Sequence, residues 1–297
     1  MNTHEDSSSR GCPYCDSTRT RRYYAINNET VRDCLDCNLI FRQKSANQEE
    51  IYRYYQNSYY GEWGGDQEDC LREAIFLDAL GFIEKHGNKG VLLDIGAGSG
   101  ALLALARDRG WKTVGQEIST ESCCIAKQRY GLELIHMNLK DMDWQANCYD
   151  AITMVNVLDH LSDPWWVLSK AFNALKKGGI LYLRVPNGNT HSCFYRISDA
   201  IPITALREKM RKFLVLHLYH LTPRFLERVL KASGFGAIII QSSTASKGIP
   251  YRSFTRGERL WLFMMKESSP ILLKMIDKLA KGRFVVSPSI NVYAFKH

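Results

Sequence analysis

VLLDIGAGSG, residues 91–100, runs from three apolar residues and an acid into glycines at every second position: Gly96, Gly98 and Gly100. Glycine weakens a strand interior, so three in alternation mark a turn where the backbone must come close to something else. The residues that follow, ALLALARDRG, carry helical apolar spacing and end on Gly110, the residue type that closes helices. A strand, a glycine turn and a helix N-terminus form a ligand site. The first helical turn offers unpaired N–H groups and the positive end of the helix dipole. The ligand is expected to carry an anionic group.

Working outward, strands and helices alternate. LREAIFLDALGFIEKHG (71–87) has helical spacing and precedes the first strand. Further strands are expected at 113–118, 132–138, 149–157 and 180–187, and then at AIIIQSS (237–243) and NVYAFKH (291–297). Helices fill the gaps. STESCCIAKQRYG closes on Gly131, a helix starting at Asp163-Pro164 is expected to reach Gly178-Gly179, and another starts at Thr222-Pro223. Such alternation implies an α/β fold, a parallel sheet with helices on both faces, whose ligands sit beyond the carboxyl ends of the strands.

The glycine turn is D-x-G-x-G-x-G, not the G-x-G-x-x-G of a dinucleotide site, which argues against a nicotinamide cofactor. Asp94 at the strand end suits a cation better than a pyrophosphate. Glu117 ends the second strand, seventeen residues past Gly100, where a carboxylate can accept hydrogen bonds from two ribose hydroxyls. A ligand with a ribose, a positive group and a compact anionic group is required, and S-adenosyl-L-methionine has all three.

These motifs resemble those of the class I S-adenosylmethionine-dependent methyltransferases over roughly residues 71–297. LLDIGAGSG resembles the first motif of that family and Glu117 the second. HMNLKDMDW (136–144) stands at the third, YDAITMVNVLDHLSDP (149–164) at the fourth, and LKKGGILYLRVPN (175–187) runs through the fifth strand. The resemblance implies a Rossmann-like, mostly parallel seven-stranded sheet. It also implies that Gly96, Gly98 and Gly100 shape the cofactor loop, that Asp94 orients the methionine end, and that Glu117 holds the ribose. Asn138 and Leu139 would meet the adenine, and Asn156 would lie beside the methionine portion. The third motif usually supplies an acid where this chain has Asn138; an amide oxygen can still accept that bond.

Cys12-x2-Cys15 and Cys34-x2-Cys37 are separated by 18 residues. Two short knuckles presenting two thiolates each fit a four-cysteine structural zinc site, here a ribbon over residues 11–45. Cys70, Cys123, Cys124, Cys148 and Cys193 lack ligand spacing and read as thiols in a reducing compartment. Apolar residues make up 45% of the 297-residue chain, enough for a large core beside the small module. No apolar run approaches the ~20 residues of a membrane span. The polar start, residues 1–10, reads as a disordered lead-in and not a signal peptide, so a cytoplasmic location is expected.

Tyrosines 52, 54, 55, 59 and 60 crowd a linker at 46–70, as packing strip or pocket cover. Net charge is +8, and the surplus is uneven: from residue 189 onward 18 Lys and Arg stand against 6 Asp and Glu. Two insertions, 189–216 and 247–288, carry much of it. Within the second, 255–283 alternates apolar clusters with basic residues, as a membrane-surface helix pair does, although helices packed on the domain also fit. Methyl transfer to a hydroxyl benefits from a general base. His160, at the carboxyl edge of the fourth strand, and His220, in HLYH (217–220), are the candidates, with His217 beside them. A zinc ribbon before such a domain resembles methyltransferases of saccharide and natural-product assembly. That favours a small-molecule or glycan-linked acceptor, with ribosomal RNA and a non-catalytic adaptor role as the alternatives.

Overall fold

The computed structural model describes residues 11–26, 29–43, 53, 66–200, 202, 217–243 and 287–297. The expected lead-in, all five tyrosines of the linker at 46–70 and the membrane-surface stretch 255–283 lie outside the described residues. A short N-terminal unit comes first: β1 (Thr20–Ile26), β2 (Glu29–Cys34) and β3 (Ile40–Arg42). Then follow α1 (Asp66–His86), β4 (Val91–Ile95), α2 (Ala101–Asp108), β5 (Lys112–Glu117), α3 (Thr120–Tyr130), β6 (Ile135–His136) and β7 (Tyr149–Val155). After a single 3-10 turn at Leu158–His160 come α4 (Pro164–Ala174), β8 (Leu175–Pro186), α5 (Gly188–Ala200), β9 (Tyr219–His220), α6 (Pro223–Ala232), β10 (Ile238–Ser242) and β11 (Ser289–Phe295).

Seven strands form one sheet in the order β10-β11-β8-β7-β4-β5-β6. The pairs from β8 through β6 are parallel, and β11 inserts antiparallel between β8 and β10. Strand order reverses at β4, between β5 and β7, so the glycine turn after β4 opens at the topological switch point. Successive residues of the central strands face opposite sides. Leu92, Ala151, Ile180 and Tyr182 pack under Ile75, Leu80 and Ile83 of α1 and Leu102 and Leu103 of α2. Leu93, Ile152, Leu181 and Leu183 pack under Val167 and Leu168 of α4 and Phe225 and Leu226 of α6. Both faces are covered, which is why these strands read as continuous apolar runs.

The helix caps follow the sequence. Ser119 Oγ accepts from Ser122 N (3.2 Å), Asp163 Oδ1 from Trp166 N (3.1 Å) and Thr222 Oγ1 from Phe225 N (3.2 Å). Several boundaries differ from expectation: α1 begins at Asp66, inside the expected linker, β7 ends at Val155, and two further shifts have a visible cause. The helix from Pro164 stops at Ala174, not at Gly178-Gly179, because Leu175 already pairs with Tyr149 as the start of β8. Lys296 Nζ donates to the Leu175 carbonyl (2.7 Å) and the Asn173 carbonyl (3.3 Å), taking up carbonyls that a longer helix would have used. The third strand shrinks from 132–138 to Ile135–His136, since β5 pairs with it only at Gln116 and Glu117.

The four-cysteine segment is stitched onto the large sheet's domain. Its β3 pairs with β9, Ile40 with His220 and Phe41 with Tyr219, giving a second sheet in the order β1-β2-β3-β9. Leu39 and Phe41 belong to the same buried cluster as α4 and α6. The Tyr14 ring stands 5.1 Å from Trp165 and 5.2 Å from Phe225, and Arg228 Nη1 donates to the Asp36 carbonyl (2.7 Å). Phe225 is fully buried at this junction, so Phe225→Ala is expected to cost about 3–5 kcal/mol. In urea, fluorescence and circular dichroism should report one shared transition, displaced in the variant. Two separate transitions in the unmodified chain would contradict a common core.

Candidate active site and four-cysteine centre

The turn after β4 is held by backbone, by the Gln116 side-chain amide and by one carboxylate. Ala97 N donates to the Gln116 carbonyl (3.0 Å), Gly96 N to Gln116 Oε1 (3.3 Å) and Gly98 N to Glu117 Oε2 (2.8 Å). Glu117 Oε1 accepts from Ile118 N (2.7 Å) and Ser119 N (2.8 Å). The turn demands glycine for two reasons. At Gly96, with φ +66°, a Cβ would stand 2.6 Å from Val157 Cγ2, and Gly98 has φ +55°, a conformation L side chains rarely adopt. Around Gly98 a Cβ would meet nothing within 4 Å, so the outer side of the turn faces open space. Gly100, φ +80°, leads into α2.

Asp94 is 3% exposed, and Thr153 Oγ1 donates to its Oδ1 (2.6 Å). Burial pushes its carboxyl up to about 7, and the neighbouring Glu117 charge adds to that. A buried carboxylate whose neighbours are a hydroxyl and a second acid lacks the positive charge that would favour its ionised form. Asn138 Oδ1 accepts from Lys140 N (3.1 Å), and Leu139, buried beside it, offers its carbonyl to Trp144 Nε1 (3.0 Å). Asn156 follows β7 at φ +56°, a left-handed position that Asn tolerates. Arg184 holds it twice: its carbonyl accepts from Asn156 N (2.8 Å) and its Nη1 donates to Asn156 Oδ1 (2.6 Å).

Four imidazoles stand beyond β7 and β8. His217 Nδ1 lies 2.7 Å, and His160 Nε2 3.3 Å, from Asp159 Oδ2. The His160 and His217 rings are 5.2 Å apart, His191 and His217 5.8 Å, His217 and His220 6.5 Å. Burial pushes the Asp159 carboxyl up, but the two imidazoles outweigh it and hold it well below the usual carboxylate range. Burial lowers His160 against the pull of Asp159, and pushes His191 down to about 4. His220 is lowered further by burial, with His217 and His191 adding. The two sequence candidates therefore sit differently. The His160 side chain is 26% exposed, while His220 is 2% exposed and its Nε2 lies 3.0 Å from the Tyr24 hydroxyl of β1.

The four cysteines converge. Cys12 Sγ is 3.5 Å from Cys37 Sγ, Cys15 Sγ is 3.6 Å from Cys34 Sγ, and all four sulfurs lie within 4.8 Å of one another. A tetrahedral ion with Zn–S bonds of about 2.3 Å sets its sulfurs roughly 3.8 Å apart, so the arrangement fits zinc. The two knuckles share one geometry. Asp16 N donates to the Cys12 carbonyl (2.8 Å) and Asn38 N to the Cys34 carbonyl (2.9 Å), with Asp16 and Asn38 both at positive φ.

A family profile described as methyltransferase domain matches residues 70–238. The chain belongs to this methyltransferase-domain family. Among curated relatives, the ubiquinone biosynthesis O-methyltransferase of Idiomarina loihiensis is 28% identical over 162 residues, covering 50% of this chain and 65% of the relative. That of Coxiella burnetii is 26% identical over 114 residues, covering 37% and 49%. The matched segment thus spans about half to two thirds of these relatives. Among solved structures, the plantazolicin methyltransferase BpumL bound to S-adenosylhomocysteine superposes with TM-score 0.52 at 14% identity, covering 84% of this chain and 95% of that one. The phosphoethanolamine N-methyltransferase 2 of Haemonchus contortus with S-adenosyl-L-methionine gives 0.50 at 16%, covering 92% and 70%. At these identities the likeness is one of fold.

Within the methyltransferase domain, the sheet brings Asp94, Gly96, Gly98, Gly100, Glu117 and Asn156 to one edge. Sequence reasoning passed over Thr153, the hydroxyl on Asp94, and Arg184. The signal for Arg184 was visible as a single charge inside the apolar run ILYLRVP. The expected four-cysteine site gives a direct outcome: about one zinc per chain by elemental analysis, with Cys37→Ser abolishing it and lowering the melting temperature. Metal-free protein that melts no lower than the native preparation would contradict a structural ion.

Proposed function

We propose that the chain transfers a methyl group from S-adenosyl-L-methionine to a small-molecule hydroxyl. The observation that carries this is the pair Asp94 and Glu117, two buried carboxylates on adjacent strands around a glycine turn that faces open space. When bound, the cofactor supplies an electrophilic methyl on a sulfonium. Glu117 would accept from the ribose hydroxyls, Asp94 would face the cationic methionine end, and Asn138 and Leu139 would meet the adenine. Catalysis is then mainly alignment of acceptor oxygen, methyl and sulfur. Relatives named ubiquinone biosynthesis O-methyltransferases support a small hydroxyl acceptor. The finer reading, an acceptor belonging to saccharide or natural-product assembly, draws on the pairing of a four-cysteine module with this domain.

Of the two candidate bases, His160 suits the proton transfer better, being partly open and set against the Asp159 carboxylate that would stabilise its imidazolium. His220, packed on Tyr24, would act by positioning. Because His160 is lowered below its ordinary value, its neutral form already dominates at pH 6.5. At saturating cofactor, turnover should therefore hold to lower pH than an ordinary imidazole would allow, and His160→Ala should cost about 10²–10⁴ in rate without weakening cofactor binding. Full turnover in that variant would remove the base.

Cofactor affinity carries its own pH dependence. The cation needs ionised Asp94, whose carboxyl in the free protein stands at about 7. Below that pH binding must expel a proton, so affinity falls as pH falls, approaching about tenfold per unit. Calorimetry with S-adenosyl-L-methionine between pH 5.5 and 8 should show this fall, and Asp94→Asn should bind weakly at every pH. Constant affinity across the range would sink the assignment of Asp94.

A further inference from the structure

Arg184 sits inside the apolar run ILYLRVP of β8. Its neighbours in β8, Ile180 to Leu183 and Val185, are all fully buried, and Arg184 itself is 9% exposed. Its Nε donates to Ser243 Oγ (2.9 Å) and its Nη1 to Asn156 Oδ1 (2.6 Å), both neutral oxygens. Among the described residues no carboxylate lies within ion-pair distance of it. The nearby charges are mixed: Arg72 of α1 opposes its charge, and Asp159 supports it from beyond direct contact. A guanidinium has five N–H donors in a planar fork, and among the described residues two of them find acceptors. A buried cation held only by neutral oxygens is costly unless something charged completes it.

Its place in the register says what. Asp94 pairs with Thr153, and Arg184 pairs with Val155, two residues further along β7. Strand alternation puts Asp94, Thr153 and Arg184 on one face of the sheet. One buried carboxylate and one buried guanidinium thus share the carboxyl edge of the switch point, a charge pattern complementary to an amino-acid zwitterion. The same Arg184 side chain steadies Asn156 in its left-handed turn, so the guanidinium is fixed before any ligand arrives.

We infer that Arg184 binds an oxyanion, a carboxylate or phosphate taken in the bidentate manner of guanidinium groups, and that the α-carboxylate of the cofactor's methionine portion is its source. The source rests on the methyltransferase reading above; the need for an anion does not. An anionic group on the acceptor would satisfy the same chemistry.

Calorimetry should compare S-adenosylhomocysteine with 5′-methylthioadenosine, which keeps the adenosine and thioether but lacks the amino-acid end. Arg184→Gln should weaken the first about tenfold or more while leaving the second within about twofold. If both nucleosides bind unchanged, but inorganic phosphate stabilises the S-adenosylhomocysteine-loaded wild type and not Arg184→Gln, the oxyanion belongs to the acceptor. If neither nucleoside binds wild type, the cofactor reading fails, and the phosphate comparison on the free protein still decides the oxyanion. Arg184→Met, which replaces the cation by an apolar chain, should leave the ligand-free protein melting no lower than wild type. Unchanged binding of both nucleosides and phosphate by Arg184→Gln, or a large drop in melting temperature for Arg184→Met with binding intact, would overturn the proposal.

Discussion

The hydrogen bond from the Gly98 amide to Glu117 Oε2, 2.8 Å long, ties the turn after β4 to the end of β5. Glu117 makes this bond from a buried position, and its other oxygen takes the amides of Ile118 and Ser119. One carboxylate therefore fixes both the glycine turn and the entry to α3. The turn in turn sets where α2 begins, and the open side around Gly98 sets where a ligand can approach. Replacing those glycines would force side chains onto positive φ and, at Gly96, into Val157. The parallel pairing of β4 with β5 and β7 places this clasp at the switch point, beside Asp94 on one strand and Asn156 on the next.

Much of this was legible in the residues because it rests on local chemistry. A D-x-G-x-G-x-G turn between an apolar run and a helix needs no tertiary information, and neither do Ser119, Asp163 and Thr222 as caps. The elements that moved were decided by partners distant in sequence. The helix from Pro164 ended early because Tyr149 takes Leu175 into the sheet and Lys296, over a hundred residues later, takes the freed carbonyls. The third strand shortened because its neighbour offered only two residues to pair. The run ILYLRVP does not show that Arg184 is buried or that it bonds to Asn156, because both depend on partners outside the strand.

The histidines show the same division. Placing His160 and His217 near one edge required only the order of elements. That Asp159 stands between them, and that His220 turns instead toward Tyr24, depends on β9 joining the four-cysteine module's sheet. The module is thereby coupled to the site's surroundings. Cys12, Cys34 and Cys37 lie in the same core as α4 and α6, and the strand that ends the module pairs with the segment carrying His217 and His220. A metal ion that orders β3 would steady those histidines from behind, which is a structural contribution made at a distance from any reacting atom.

Glu117 organises the turn, and in the proposed function it would also accept from the ribose hydroxyls. Titration of S-adenosylhomocysteine into the protein should show one site per chain. Glu117→Gln keeps the size of the side chain but sets an amide N–H among the backbone N–H groups of Gly98, Ile118 and Ser119. Affinity should then fall by about 1.5–3 kcal/mol, roughly ten- to a hundredfold. Equal affinity in the two proteins would contradict the account, because the turn and the ligand would then be shown to form without that carboxylate.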